Sequence, residues 1–146
     1  MNDVNQANDA NGEAHGFIRE DGLLSCDGVS LDEIADAVGT PVYVYSVAAI
    51  EHQYKRLSDA LANVPHRLHY SVKANSNLAI LGVLRSLGSG VDIVSGGEMY
   101  RAQSAGFRGQ DIVFSGVGKT EREMTEALTL GVLMINVESA EELEFL

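Results

Sequence analysis

Four short apolar segments, 68–72, 91–94, 112–114 and 132–137, recur along this chain, and each is followed by a stretch with helical spacing. The helical stretches are 78–87, 98–105, 121–130 and 140–146, so strand starts recur about every 21 residues. Alternation of this kind predicts a parallel sheet with helical crossovers, an α/β fold. Gly88 and Gly90, Gly106 and Gly109, and Gly131 stand at the helix-to-strand turns, where helices stop. A leucine-rich repeat has a similar period, but its Leu and Asn ladder is absent. Two architectures remain, an open doubly wound sheet and a (β/α) barrel. A closed barrel takes about 250 residues, whereas this chain has 146 and stops inside the helical pattern SAEELEFL. We therefore expect a truncated barrel of four β/α units over residues 65–146. Its uncovered inner face and open fourth-strand edge predict aggregation when the chain stands alone.

The segments before the repeat read differently. Residues 1–16 are polar, with almost nothing to bury, and read as a disordered arm without the basic and apolar regions of a secretory signal. Residues 17–64 lead into the barrel. Phe17-Ile18 and Leu23-Leu24 are strand-like pieces, and SLDEIADAVGTP is a helix. Ser30 and Glu33 suggest a capping box at its start, and Gly39 with Pro41 supplies its stop. Val42-Tyr43-Val44-Tyr45 has the β-branched and aromatic make-up of a strand. Ile50, Tyr54, Leu57 and Leu61 then mark one face of a helix that ends before Pro65.

Composition excludes several function classes. No run approaches the ~18 apolar residues of a membrane helix. The net charge of -11, from 10 Lys+Arg against 21 Asp+Glu, argues against nucleic acid, whose phosphates demand clustered cations. An acidic surface suits a cytoplasmic protein that handles small molecules. Cys26 stands alone, so no internal disulfide forms, and the four histidines make no ligand set. No metal is expected.

Two apparent phosphate motifs fail on inspection. Ser115-Gly116-Val117-Gly118-Lys119-Thr120 resembles the end of a P-loop, but Val113 stands where the first glycine is required. It reads as a flexible strand-to-helix loop with Thr120 as N-cap. Gly88-Ser89-Gly90 precedes a strand instead of following one, which rules out a dinucleotide fingerprint. Lys73 is different. It falls at the carboxyl end of the first repeat strand, before a helix that Asn75, Ser76 or Asn77 can cap. In a barrel that end is the active-site face. A lysine walled by apolar neighbours there can become a Schiff-base nucleophile, although most lysines at strand ends simply reach solvent. Asp92 interrupts the second strand, where a carboxylate is costly unless paired, and Lys73 is a candidate partner. Glu98 opens the next helix, where the helix dipole alone accounts for an acidic residue.

At these residues the chain resembles the pyridoxal-phosphate-dependent decarboxylases with an alanine-racemase-like barrel. The resemblance runs from about Phe17 to Leu146 through TPVYVYS, HYSVKANSN, GSGVDIVSGGEMYRAQSAGF, DIVFSGVGKT and INVESAEEL in order. It implies a partial (β/α)8 TIM barrel of the fold-type III class, with residues 17–64 contributing to a second, β-rich domain. It implies pyridoxal phosphate as cofactor, Lys73 as its covalent anchor, Asp92 beside the lysine and cofactor, and Glu98 near the site. The Ser-Gly-Gly-Glu wording favours the branch that converts meso-2,6-diaminopimelate to L-lysine and carbon dioxide. Decarboxylases of ornithine, arginine or carboxynorspermidine are the alternatives, as is a non-catalytic homologue that binds pyridoxal phosphate or a partner. The implied partners are a small amino-acid substrate and, at full length, a second copy in a homodimer. The family's ring-stacking histidine, phosphate loop and substrate-carboxylate residues fall beyond Leu146, which implies that this stretch alone is inactive.

Overall fold

The computed structural model describes residues 16–146, so all but Gly16 of the expected amino-terminal arm lies outside the described residues. The described residues form two compact units, one ending at Leu57 and the other spanning Ser58–Leu146. In the first, β1 (Phe17–Glu20), β2 (Leu23–Cys26) and β3 (Val29–Ser30) make an antiparallel sheet in the order β1-β2-β3. Both connections are Asp-Gly pairs, Asp21-Gly22 and Asp27-Gly28, with positive φ at all four residues. Such turns match the twist of the flanking strands. Cys26 is buried in β2, and burial pushes its thiol up, with the nearby Asp27 charge adding to the effect.

Helix α1 (Leu31–Val38) follows directly, with Ser30 as N-cap. The Ser30 hydroxyl accepts from the Asp32 N–H at 3.2 Å, one residue short of the partner a capping box would use. Helix α2 (Val47–Ala60) is also capped from outside its own sequence. Asp27 accepts from the Ser46 hydroxyl at 2.7 Å, the Val47 N–H at 2.8 Å and the Ala48 N–H at 3.3 Å. These donors, the hydroxyl foremost, hold its carboxyl below the ordinary range. Gly16 lies so close that a Cβ there would overlap Ser46 Oγ.

Residues 42–45 form no strand, contrary to their composition. Val42, Tyr43 and Tyr45 are exposed and have no ladder partner among the described residues. Strand propensity describes a fit to a pleated, half-buried surface, and no such surface is offered here.

The second unit carries the repeat. β4 (His69–Ser71), β5 (Gly90–Ile93), β6 (Ile112–Phe114) and β7 (Met134–Ile135) form a parallel sheet in sequential order β4-β5-β6-β7. Helices α3 (Leu78–Ser86), α4 (Gly96–Ser104) and α5 (Glu121–Leu130) alternate with them, and α6 (Ala140–Phe145) follows β7. A doubly wound sheet reverses its strand order partway, while a barrel adds each strand beside the last. The sequential order therefore selects the barrel type.

Register fixes which residues share a face. Tyr70, Val91 and Ile112 lie side by side, as do Ile93 and Phe114, and Phe114 and Ile135. This face is the hydrophobic one, packed with Leu81 of α3, Met99 and Ala102 of α4 and Ala127 of α5. Because side chains alternate along a strand, Ser71, Asp92, Val113 and Met134 share the opposite face. Gly90 lies beside His69 there, and a Cβ at Gly90 would overlap the imidazole. His66 precedes β4, so the two histidines do not share a strand.

At the amino-terminal end of the sheet, Asp111 is buried and bonded to Arg67 at 2.6 Å. Burial pushes its carboxyl up, but Arg67, the Arg108 N–H and the Arg108 side chain overcome this and hold it at about 2. A lowered folded-state value contributes stability above the ordinary carboxyl range, lost as pH falls through the folded value. Acidifying the protein from about pH 4 to pH 2 should therefore cost about 2 kcal/mol through Asp111. Urea midpoints measured across that window should fall less steeply in Asp111→Asn. Equal slopes would contradict the pairing. Among the described residues, no helix is long and apolar enough to cross a membrane and no group could hold a metal ion.

Candidate functional site

Barrel chemistry belongs to the carboxyl ends of the strands, and here that end collects polar side chains. β4 gives way to a 3-10 turn, Val72–Ala74, in which Val72 is fully buried and Lys73 is exposed. The turn lies against β5 and α4. Burying Val72 anchors the turn and leaves Lys73 projecting from it. The next helix starts as expected, with the Asn77 side chain accepting from the Ala79 N–H at 2.8 Å. Lys73 is accordingly not walled by apolar neighbours.

The chain's three lysines, Lys55, Lys73 and Lys119, differ sharply in their surroundings. Lys55 pairs with Glu51 on the exposed face of α2. Lys119 is fully buried, pairs with Glu142 at 3.1 Å, bonds the Gly116 carbonyl and lies 5.9 Å from the Phe114 ring centre. Lys73 makes no ion pair with any described residue. The would-be P-loop lysine is thus consumed inside the fold. It ties residues 115–120 to α6, so this loop is tethered where the sequence suggested flexibility.

Asp92 is half-buried in β5, and its partners are hydroxyls instead of the lysine. Ser115 Oγ donates to Asp92 Oδ1 at 2.5 Å and Ser71 Oγ to Oδ2 at 3.4 Å. Asn136 Nδ2 in turn donates to Ser115 Oγ at 2.9 Å. Ser71 belongs to β4, Ser115 follows β6 and Asn136 follows β7, so the polar row crosses the ends of all four strands.

Glu98 turns back on its own loop. Its Oε2 accepts from the Val94 N–H at 2.8 Å, while its N–H bonds Ser95 Oγ at 3.2 Å. Glu123 does the same for two loops at once. Its carboxylate accepts from Thr120 N–H and hydroxyl, completing the capping box at α5, and from the Gly96 N–H at 2.7 Å. Those donors, the Thr120 N–H foremost, hold its carboxyl below the ordinary range. The Thr-x-x-Glu spacing marks this box in the sequence, but nothing there shows that Glu123 also reaches Gly96.

The donor set suits an aldehyde cofactor that becomes cationic on attachment: Lys73 and, on the neighbouring strand, Asp92 have no ion-pair partner among the described residues. One opening amide in each of α3, α4, α5 and α6 already donates to that helix's own cap, Asn77, Ser95, Thr120 and Ser139. A phosphate group would therefore need donors other than these capped amides.

These features define a parallel (β/α) barrel segment with a free amine at the chemical end of its first strand. The family model for pyridoxal-dependent decarboxylase, pyridoxal binding domain, matches residues 47–146, and the chain belongs to that family. It is 54% identical over 128 residues to diaminopimelate decarboxylase from Pseudomonas aeruginosa, covering 88% of this chain and 31% of that protein. Diaminopimelate decarboxylase from M. jannaschii, solved in co-complex with L-lysine, superposes with a TM-score of 0.85 at 34% identity. That match covers 91% of this chain and 32% of the solved one. Lysine/ornithine decarboxylase from Vibrio vulnificus gives 0.72 at 25% identity, over 79% and 31%. The chain thus spans about a third of the length of these relatives, and its fold is the first four β/α units of their barrel.

Proposed function

We propose that this chain is the cofactor-anchoring part of a decarboxylase that uses pyridoxal phosphate to convert meso-2,6-diaminopimelate to L-lysine and carbon dioxide. The observation that carries the reading is Lys73, an exposed amine with no ion pair among the described residues, at the carboxyl end of β4, with Asp92 on the neighbouring strand. When bound, pyridoxal phosphate supplies an electron sink for the pair left when carbon dioxide departs. Lys73 would hold that group through its Nζ and, once freed by the substrate amine, would carry protons at the same nitrogen. Asp92 would supply a carboxylate from the neighbouring strand, where its described partners are Ser71 and Ser115. Glu98 keeps the loop after β5 in shape by binding the Val94 N–H, which makes it a positioning residue for the cofactor site.

The lysine-forming branch is favoured over the ornithine branch by 54% identity to the Pseudomonas relative against 25% to the Vibrio vulnificus one. In this reading residues 17–64 lead towards a second, β-rich domain, and the full-length enzyme works in the cytoplasm as a homodimer. Its partner is a small amino acid, and neither nucleic acid nor membrane is required.

A chimera tests this directly. Residues 16–146 would replace the matching third of the Pseudomonas aeruginosa enzyme. The chimera should release lysine from meso-diaminopimelate at no worse than about a tenth of the parent kcat/KM, a penalty of about 1.4 kcal/mol in the barrier. A folded chimera that releases no lysine would overturn the reading.

A further inference from the structure

The polar row across the strand ends has a direction. The Asn136 Nδ2 group can only donate, and it spends a hydrogen on Ser115 Oγ. That interaction occupies an acceptor site on the hydroxyl and leaves its single proton for Asp92 Oδ1, 2.5 Å away. Ser71 approaches the other carboxylate oxygen from the opposite side. Asp92 is therefore held between hydroxyls from both neighbouring strands. Among the described residues it has no ion-pair partner, so its charge is uncompensated within the fold.

The backbone ladder fixes the row in place. Ser115 N–H bonds the Ile93 carbonyl at 2.8 Å, and Asn136 N–H bonds the Phe114 carbonyl at 2.9 Å. Ser71 lies directly beside Asp92 in the parallel register. Lys73 leaves β4 two residues beyond Ser71, and its turn packs against β5. A row that served only to satisfy a half-buried carboxylate would need neither Asn136 nor a place at this end of the sheet.

We infer that Ser115 and Asn136 are positioning residues which, by orienting Asp92, set the pH at which the nitrogen joining Lys73 to its cofactor loses its proton. The inference rests on the reading of Lys73 given above. In the step concerned, the Lys73 amine adds to the cofactor aldehyde, water leaves, and the linking nitrogen either keeps or releases one proton. A carboxylate held in orientation on the neighbouring strand favours the protonated form. Removing the Ser115 hydroxyl frees Asp92 to rotate towards solvent and weakens that preference.

The test uses the chimera described above, loaded with pyridoxal phosphate. Absorbance present in the wild type and missing in Lys73→Ala reports the linkage, and its pH midpoint reports the proton. Ser115→Ala should lower the midpoint by about one pH unit and weaken cofactor binding several-fold. Ser115→Thr, which keeps the hydroxyl, should restore both, and Asn136→Ala should shift the midpoint in the same direction by less. An unchanged midpoint in Ser115→Ala would overturn the inference while leaving Lys73 as the anchor. Absorbance identical in wild type and Lys73→Ala would overturn the anchor itself, and this inference with it.

Discussion

Lys73→Ala is expected to abolish lysine production by the chimera, lowering turnover at least about 1,000-fold, while leaving the fold intact. The argument rests on what each lysine does in the structure. Lys73 is exposed, forms no ion pair with any described residue and sits in a turn held down by its buried neighbour Val72. Its side chain therefore contributes little to stability, and the thermal midpoint should move by no more than about 2 °C. Lys119→Ala should behave in the opposite way, because that ammonium is buried and bonds both Glu142 and the Gly116 carbonyl. Lys55→Ala should be silent in both assays, since an exposed pair four residues apart on a helix is worth little. Loss of turnover together with loss of the fold in Lys73→Ala would show that the lysine is structural.

Phe114→Ala is expected to cost about 4 kcal/mol, the largest stability effect of any single substitution considered. Phe114 is fully buried, sits in β6 between β5 and β7, and belongs to the cluster that joins sheet to helices. Removing its ring leaves a cavity that a parallel sheet, fixed by its ladder, cannot easily close. Domains are stable by only about 5–15 kcal/mol, so the loss is a large share of the total. It should also reach the site, because the next residue is Ser115, the donor to Asp92. Tyr100→Ala is the control: it is largely exposed on α4 and should change stability by no more than about 0.5 kcal/mol. Urea unfolding of the two variants separates the cases. Similar midpoints would mean that the core does not lie where the register places it.

Much of this was legible before the structure, and the parts that were not share a cause. The repeat set four strands and four helices within a few residues of where they form, because hydrophobic spacing and glycine stops are local signals. Thr120 and Asn77 as caps were local too. The strand expected at 42–45 was misread because a strand needs a partner, and pairing is not written in four residues. The Asp-Gly turns at 21–22 and 27–28 are strong hairpin signals, and they complete the sheet that the sequence showed only as isolated pieces. Asp27 capping α2, Glu123 reaching Gly96 and Ser115 holding Asp92 join residues about 20 or more positions apart. Only the fold brings such pairs together. The expectation that Lys73 would answer the Asp92 charge failed for the same reason, since serines on both flanking strands reach it first.

The central claim is that Lys73 takes the cofactor covalently. It is tested most directly by adding pyridoxal phosphate to the chimera, reducing with borohydride and mapping the labelled peptide by mass. The account predicts the phosphopyridoxyl group on Lys73, with Lys119 unlabelled in its buried pair and Lys55 labelled only as a trace. Label shared equally between Lys55 and Lys73, or absent from Lys73, would contradict it.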